Sequence, residues 1–283
     1  MQAELILDAK ATLGEGPAWD AQREILYWVD IAEKRVHAGG DLLVQLDETV
    51  GCLTPRKDGH LLLGKGLSLA DLDPASGELQ VLARLDSEPS FNRINDGKCD
   101  LAGRFLVGTM DSSEKEASGS LYSFDGSQAR HLLDGIRISN GLAWSPDHKT
   151  FFYIDTPTRT VTAFDYDLTT GEIAYPRPAF EIPDSLGWPD GMTSDMDGNL
   201  WIAMWGGAQV TRWNPRAGQL LEQIPVPALH TSCCVFGGRE MNELYVTSAR
   251  QGLTRSDLEK YPLSGGLFRI TTKVEGMPSF AFK

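Results

Sequence analysis

The chain has 283 residues, with 39 Asp and Glu against 26 Lys and Arg, and a formal net charge of −13. A chain of this length can bury roughly three quarters of its unfolded surface, so a large rigid scaffold is possible. The acidic balance repels phosphate backbones and anionic lipid, and no apolar run approaches the ~20 residues of a membrane span. We therefore expect neither nucleic acid nor a membrane as a partner.

Residues 1–12 lack the apolar core of a signal peptide. Four cysteines in a chain of this length, without an export signal, are typical of reduced thiols in a cytosolic protein. We therefore predict a cytoplasmic location. Cys233 and Cys234 are adjacent, and we interpret them as small buried side chains in a strand; a strained vicinal disulfide is the alternative.

One pattern, a polar or glycine-containing turn followed by alternating apolar residues, occurs six times. The first strand residues after these turns lie 36 to 49 residues apart and serve as reference positions: Ile25, Leu61, Phe105, Phe151, Leu200 and Leu244. This spacing fits four short strands per repeat. Turn signals at 73–78, 167–172 and 214–219 indicate outer hairpins. The sequence therefore predicts an all-β fold, a six-bladed β-propeller that forms a single domain over residues 1–283.

Standard catalytic signatures are absent. The chain has no Gly-x-Ser-x-Gly elbow, no P-loop, no Gly-x-Gly-x-x-Gly and no His-Glu-x-x-His. Its five histidines are scattered at turns and strand ends, so a three-histidine zinc site has little support. We interpret these histidines as solvated or structural.

Equivalent positions in the six repeats indicate a functional site more clearly. The position ten residues before the reference residue, or eleven in the fourth repeat, holds Glu15, Gly51, Asn95, Asn140, Asp190 and Cys234. Four of these six carry oxygen donors, and each of the four leads into a glycine directly or one residue later. The strand that enters a propeller blade is the innermost one, so these side chains are expected to converge around the central channel.

Two carboxylates and one or two carboxamides suit Ca²⁺, Mg²⁺ or Mn²⁺, and Zn²⁺ can also bind carboxylate oxygens. The sequence therefore predicts one divalent cation at the mouth of the channel. The alternative is that the polar-Gly pairs form turns or satisfy buried backbone groups. Residues 195–198 resemble the start of a calcium loop, but no Glu follows at the required spacing, so we interpret them as a hairpin turn.

Several segments carry a resemblance to a known family. They are LGEGP (13–17), RINDGK (93–98), GTM (108–110), GSLY (119–122), ISNGLAW (138–144), PDGM (189–192), LWIA (200–203), SCC (232–234) and GGLF (265–268). Together they resemble the family of senescence marker protein (regucalcin), gluconolactonase and luciferin-regenerating enzyme. The matching segments follow one another in order over nearly the whole chain.

The resemblance implies a six-bladed propeller that holds one catalytic divalent cation and hydrolyses sugar lactones. By motif, Glu15, Asn140 and Asp190 are similar to the metal ligands of the family, and Asp190 also to its acid/base residue. Arg93 and Asn95 are similar to the substrate-contacting pair; a loop salt bridge is the alternative for Arg93. Asp96 stands where the family often has another polar group near the metal, and we group it with the substrate-binding residues.

Some members of the family use an acidic residue after the Gly-Thr-Met segment to hold sugar hydroxyls. The loop 111–116 of this chain departs from that pattern and leaves the equivalent residue open. Two other functions remain open at this point: hydrolysis of organophosphates or bulkier esters at the same cation, and calcium binding without catalysis. We expect a monomer, because a closed propeller leaves few unpaired strand edges.

Overall fold

A computed structural model describes all residues, 1–283. It contains 24 strands, two short 3₁₀ turns (Thr156–Thr158 and Asp184–Leu186) and one short helix, α1 (Arg255–Lys260). The strands are β1 (Ala3–Leu7), β2 (Gly14–Asp20), β3 (Ile25–Asp30), β4 (Arg35–Ala38), β5 (Asp41–Gln45), β6 (Val50–Pro55), β7 (Leu61–Lys65), β8 (Ser68–Leu72), β9 (Leu79–Arg84), β10 (Asn92–Cys99), β11 (Phe105–Asp111), β12 (Gly119–Phe124), β13 (Ala129–Ile136), β14 (Ser139–Trp144), β15 (Thr150–Asp155), β16 (Thr160–Asp167), β17 (Glu172–Glu181), β18 (Trp188–Ser194), β19 (Leu200–Trp205), β20 (Gln209–Asn214), β21 (Gln219–Pro225), β22 (His230–Gly237), β23 (Glu243–Ala249) and β24 (Leu267–Thr271). No helix is both long and apolar enough to span a membrane.

The strands form six antiparallel sheets of four strands each, which confirms the predicted six-bladed propeller. Five sheets, which we number blades 1 to 5, use four consecutive strands and start at β2, β6, β10, β14 and β18. The sixth sheet has the order β22-β23-β24-β1, so the first strand of the chain completes the last blade. Ala3 pairs with Ile270 in this sheet, and the backbone bonds between the two ends of the chain close the ring.

The first strand of each blade is the innermost one. β2, β6, β10, β14, β18 and β22 each contact the inner strands of both neighbouring blades, and together they surround a central channel. The reference residues identified in the sequence begin or lie near the start of the second strand of each blade. The three predicted outer turns join the third and fourth strands of their blades, as expected.

Apolar side chains between neighbouring blades form the core. Trp201, Phe151 and Phe236 are among its largest fully buried members. All four cysteines are buried and free, so no vicinal disulfide forms between Cys233 and Cys234. The segment 195–198 forms the turn between β18 and β19, as the missing calcium-loop glutamate indicated.

The two ends of the channel differ. The last residues of the chain run along the carboxyl ends of the inner strands, where Met277 N donates to Ser194 O at 2.9 Å and Phe282 N donates to Pro55 O at 2.9 Å. This segment therefore links blade 5 to blade 2 at one end of the channel. The amino ends of the inner strands lie at the opposite end, and a pocket opens there.

Candidate active site

A pocket of about 500 Å³ lies at the amino ends of the inner strands. Five of the six residues predicted for the site line it, although they come from four different blades: Glu15, Arg93, Asn95, Asn140 and Asp190. Blade 2 contributes no side chain to the pocket. At its equivalent position Gly51 lies so close to blade 3 that a Cβ would stand 2.4 Å from the carbonyl oxygen of Asn95.

A β-bulge interrupts every inner strand at the level of the site. Glu15 and Asn140 directly precede their bulges, and Asn95 and Asp190 lie within theirs. A bulge re-aims the side chains beside it, and bulges are common next to active sites for this reason. Here they turn polar side chains of otherwise regular strands towards one pocket.

The sixth blade corrects one detail of the repeat comparison. Cys234 does not occupy the position equivalent to Asn95, because it pairs regularly with Val246 and the bulge holds the two residues before it. The turn of this blade has the same length as that of blade 3, because Gly237 pairs with Glu243 as Cys99 pairs with Phe105, but the reference residue Leu244 lies one position further into its strand. A fixed offset from the reference residue therefore misses the true equivalent.

The glycines that follow the polar residues lie inside the inner strands rather than in turns. Gly141 has a φ of +27°, and a Cβ on it would stand 2.8 Å from the carbonyl oxygen of Asp190. A Cβ on Gly191 would stand 2.2 Å from Cys233 Sγ. These glycines therefore let neighbouring inner strands approach closely, which brings side chains of different blades within reach of one another.

Two layers of side chains line the pocket. We call Glu15, Asn95, Asn140 and Asp190 the lower ring, and all four are buried. The residue two positions before each of them, on the inner strand or directly ahead of it, also lines the pocket, since alternate residues of an extended chain face the same side. We call this second layer the upper ring, and it consists of Leu13, Arg93, Ile138 and Trp188.

The two carboxyl groups of the lower ring have no ion-pair partner. Glu15 Oε2 accepts a hydrogen bond from the backbone of Gly16 at 2.7 Å, and neither Glu15 nor Asp190 forms a salt bridge. Burial, followed by repulsion from Asp96, raises the pKa of Glu15 to about 8. Burial, followed by repulsion from Glu15 and Asp96, raises the pKa of Asp190 well above its ordinary value. Buried carboxylates are normally paired or bound to a metal, so the site fits a cation.

Nowhere in the chain do three His, Cys, Asp or Glu side chains gather in a way that would hold a metal ion. A cation site built on Glu15 and Asp190 therefore depends on an amide for a third side-chain ligand. Asn140 fits this role because its Oδ1 accepts one hydrogen bond, from Asn95 at 3.0 Å, and an amide oxygen has two lone pairs.

Asp96 is the predicted residue that does not line the pocket. It is buried one residue further along β10 than Asn95, and its Oδ1 accepts a hydrogen bond from the backbone of Gly97 at 2.7 Å. Asp96 affects the site through its charge, which repels both Glu15 and Asp190.

Arg93 projects into the pocket rather than into a loop salt bridge. Its Nη1 donates to Asn95 Oδ1 at 2.7 Å and to the carbonyl oxygen of Ile94 at 3.1 Å. Burial lowers the pKa of Arg93, and the Glu114 carboxylate is the strongest of the charges that oppose this effect. These contacts leave Nε and Nη2 available to a ligand.

The loop after β11 supplies a residue that the sequence left open. Glu114 lines the pocket, whereas the carboxylate of Asp111 accepts hydrogen bonds within the loop from Ser113, Lys115 and Glu116. Glu114 itself has a φ of +61°. That conformation redirects the chain locally and carries no clear signal in the sequence, so spacing alone did not identify Glu114.

Aromatic residues form the opposite wall of the pocket. Trp205 stacks on His230 with 4.1 Å between ring centroids and 6° between ring planes, and the Arg159 guanidinium lies 3.7 Å from the Trp188 ring centroid. Burial lowers the pKa of His230. The sequence predicts only a solvated or structural role for His230. Its position two residues before a bulge, like that of Arg93 and Trp188, is the signal that would have identified it as a pocket residue.

The fold and the pocket define a six-bladed propeller with an oxygen-lined candidate cation site at the mouth of its channel. Residues 13–250 match the model of the SMP-30/Gluconolactonase/LRE-like region. The chain is 38% identical to regucalcin of Gallus gallus over 295 residues, an alignment that covers 100% of this chain and 98% of that protein. The chain therefore belongs to the SMP-30/gluconolactonase/LRE-like family.

Solved structures agree with this assignment. A luciferin-regenerating enzyme shares 32% identity with a TM-score of 0.91, and the alignment covers 99% of both chains. A regucalcin from Agrobacterium tumefaciens, described as a calcium-binding protein, shares 27% identity with a TM-score of 0.94 over 99% of this chain and 96% of its own. The likeness to both extends over the entire propeller.

Proposed function

We propose that this protein hydrolyses a sugar lactone, an aldonolactone, to the corresponding aldonic acid, and that the reaction depends on one divalent cation. The observation that carries the proposal is the lower ring, where Glu15 and Asp190 are buried without a positive partner beside the amide of Asn140. Membership of a family whose name includes gluconolactonase supports the same activity.

Glu15, Asn140 and Asp190 would hold the cation through oxygen atoms. Such ligands suit Ca²⁺, Mg²⁺ and Mn²⁺, and Zn²⁺ also accepts carboxylate oxygens. A divalent cation, when bound, supplies Lewis-acid polarisation of the ester carbonyl. The charge of the two carboxylates, reinforced by Asp96, gives the chain its electrostatic preference for a dication over a monovalent ion.

Arg93 and Asn95 orient the lactone in this proposal. Nη1 of Arg93 is already bonded within the protein, so Nε and Nη2 are the donors left for the carbonyl or hydroxyl oxygens of the substrate. The Asn95 amide donates to Ser139 O at 2.8 Å and to Asn140 Oδ1, so only its Oδ1 has capacity left to accept from a hydroxyl. Fixed donors and acceptors of this kind reduce the entropy lost on the way to the transition state.

Asp190 acts as the acid and base. Its carboxylate removes one proton from the attacking water as the new carbon–oxygen bond forms, and it returns that proton to the ring oxygen as the ester bond breaks. The product is an open-chain hydroxy acid, which releases a proton at neutral pH. Lactones are reactive esters, so modest activation of the water is sufficient.

Glu114 and Asp96 have separate roles. Glu114 lines the pocket beside Arg93, and we assign to it the binding of sugar hydroxyls. Asp96 does not reach the pocket surface, so its contribution is electrostatic rather than a direct substrate contact. The aromatic wall of Trp188 and Trp205 packs against the apolar face of the sugar ring.

Proton release, measured after aldonolactones are added to the metal-stripped chain, tests the proposal. The panel contains glucono-, galactono-, arabino- and xylonolactone, each with and without Ca²⁺, Zn²⁺, Mn²⁺ or Mg²⁺. We expect hydrolysis above the uncatalysed rate only in the presence of a cation. Cation binding without ring opening of any lactone would overturn the proposal and favour a calcium-binding propeller.

A further inference from the structure

A continuous chain of hydrogen bonds connects the upper ring with the lower ring across blades 3 and 4. Arg93 Nη1 donates to Asn95 Oδ1 at 2.7 Å, and Asn95 Nδ2 donates to Asn140 Oδ1 at 3.0 Å. Asn140 Nδ2 then donates to Thr156 Oγ1 at 2.9 Å. The first two bonds join Arg93, proposed to orient substrate, to Asn140, proposed to bind the cation, and the third continues to Thr156.

Thr156 extends the chain into blade 5. Its hydroxyl donates to the carbonyl oxygen of Pro189 at 2.8 Å, and Pro189 directly precedes Asp190. The backbone N–H of Thr156 donates to Ile138 O at 3.1 Å, which fixes its 3₁₀ turn against blade 4. The side chain is buried and lines the pocket.

The direction of the chain is determined at both of its ends. A guanidinium has only donors, so Asn95 presents its oxygen to Arg93 and its nitrogen to Asn140. A backbone carbonyl has only acceptors, so the Thr156 hydroxyl donates to Pro189 and accepts from Asn140. The Asn140 amide therefore has one favourable orientation, with its oxygen towards Asn95 and its nitrogen towards Thr156.

We propose that Thr156 is a positioning residue that holds two cation ligands of different blades, Asn140 and Asp190, in register. This inference rests on the proposed function, because it takes these two residues as ligands. Thr156 fixes the amide orientation of Asn140 and the backbone that carries Asp190 with a single hydroxyl group.

Substitution of Thr156 by Val tests the proposal, because valine keeps the shape of the side chain and removes the hydroxyl. The Asn140 amide and the Pro189 carbonyl each lose a buried partner, which corresponds to at least about a tenfold loss in cation affinity. The measurement is calorimetric titration of the metal-stripped chain with Ca²⁺. Thr156→Ser, which retains the hydroxyl, should bind Ca²⁺ with an affinity within about threefold of the wild type.

Thr158 offers a matched control in the same 3₁₀ turn. It is exposed and donates locally to Asp155 O at 2.7 Å, so Thr158→Val should leave Ca²⁺ affinity unchanged. A Thr156→Val variant that melts like the wild type and binds Ca²⁺ equally well would overturn the proposal. Equal losses in Thr156→Val and Thr158→Val would also contradict it, because they would point to a general disturbance of the turn.

A readout without metal separates this inference from the proposed function. The side-chain amide protons of Asn140, followed by NMR in the metal-stripped chain, should exchange slowly in the wild type and faster in Thr156→Val. If exchange is faster in Thr156→Val but the wild type does not bind Ca²⁺, the cation site is refuted. The role of Thr156 in positioning cation ligands is then refuted as well. Unchanged exchange would refute the hydrogen-bonded chain itself.

Discussion

The two layers of the pocket differ in kind. The lower ring consists of four polar residues that are buried and tied to one another or to the backbone. The upper ring is largely apolar, with Arg93 as its charged member, and Trp188 in this layer is 43% exposed. The same inner strands supply both layers two residues apart, so one scaffold separates the chemistry from the recognition of the substrate.

The comparison predicts where substitutions will act. Changes at Glu15, Asn140 and Asp190 of the lower ring should affect cation binding and turnover, since these residues are the proposed cation ligands. Changes in the upper ring and in the adjoining loop should affect substrate affinity while the cation site remains intact. Substitutions in each layer of the pocket therefore test this division.

The largest effect is expected from Asp190→Asn. The substitution keeps the shape and removes both the charge and the base, so hydrolysis should fall by at least about 100-fold. The metal-free variant should unfold at a temperature no lower than that of the wild type, because one of three mutually repelling buried carboxylates is removed. A variant that retains most of its activity would exclude Asp190 from the mechanism.

Arg93→Ala should impair substrate use more than cation binding. Loss of the guanidinium removes the main orienting donor of the upper ring, and kcat/KM for an aldonolactone should fall at least about tenfold. The bound cation, measured by calorimetric titration, should remain at one per chain. Loss of the cation from this variant would contradict the division between the two layers.

Glu114→Gln is expected to raise KM for a polyhydroxylated lactone by about tenfold, because a charged hydrogen bond to substrate hydroxyls is weakened. Glu116 lies two residues further along the same loop and does not line the pocket, so Glu116→Gln is the matched control. Steady-state kinetics of both variants measure the expected difference in KM. Similar KM values for the two would remove Glu114 from substrate recognition.

The smallest effect is expected from Trp188→Ala. Loss of aromatic packing against the sugar ring should raise KM about fivefold, with little change in kcat. Tyr175 on β17 is 77% exposed and far from the pocket lining, and Tyr175→Ala serves as the control. A decrease in kcat rather than an increase in KM would show that the upper ring participates in the chemical step.

The fold was predictable from the sequence because a propeller repeats its signal. Six turn-and-strand patterns at similar spacing gave the number of blades and identified the inner strands. Only the closure of the sixth blade by β1 lacked a signal of its own, since β1 pairs with a strand from the other end of the chain.

The lower ring was predictable in part for the same reason. Its four residues recur at nearly the same phase in four repeats, and the structure brings all four into one pocket. A fixed offset fails in the sixth repeat because Leu244 lies one position further into its strand and the bulge lies further from the turn than in blade 3. Asp96, predicted as a substrate contact, does not line the pocket. The positions of bulges depend on local backbone geometry, which spacing alone does not specify.

The remaining pocket residues depend on loop conformation and on contacts between blades. Glu114 itself has a positive φ, and Thr156 lies in the 3₁₀ turn between β15 and β16. Neither residue belongs to a sequence motif. Their positions at the pocket depend on how blades 3, 4 and 5 pack against one another, which the sequence spacing does not show.

The central claim, a cation-dependent lactonase with one site per chain, is tested most directly by titrating the metal-stripped protein with Ca²⁺ while the hydrolysis of gluconolactone is followed. We expect activity to rise with added cation and to saturate at one bound cation per chain. Full activity in the stripped protein, or saturation of the site without any hydrolysis, would contradict it.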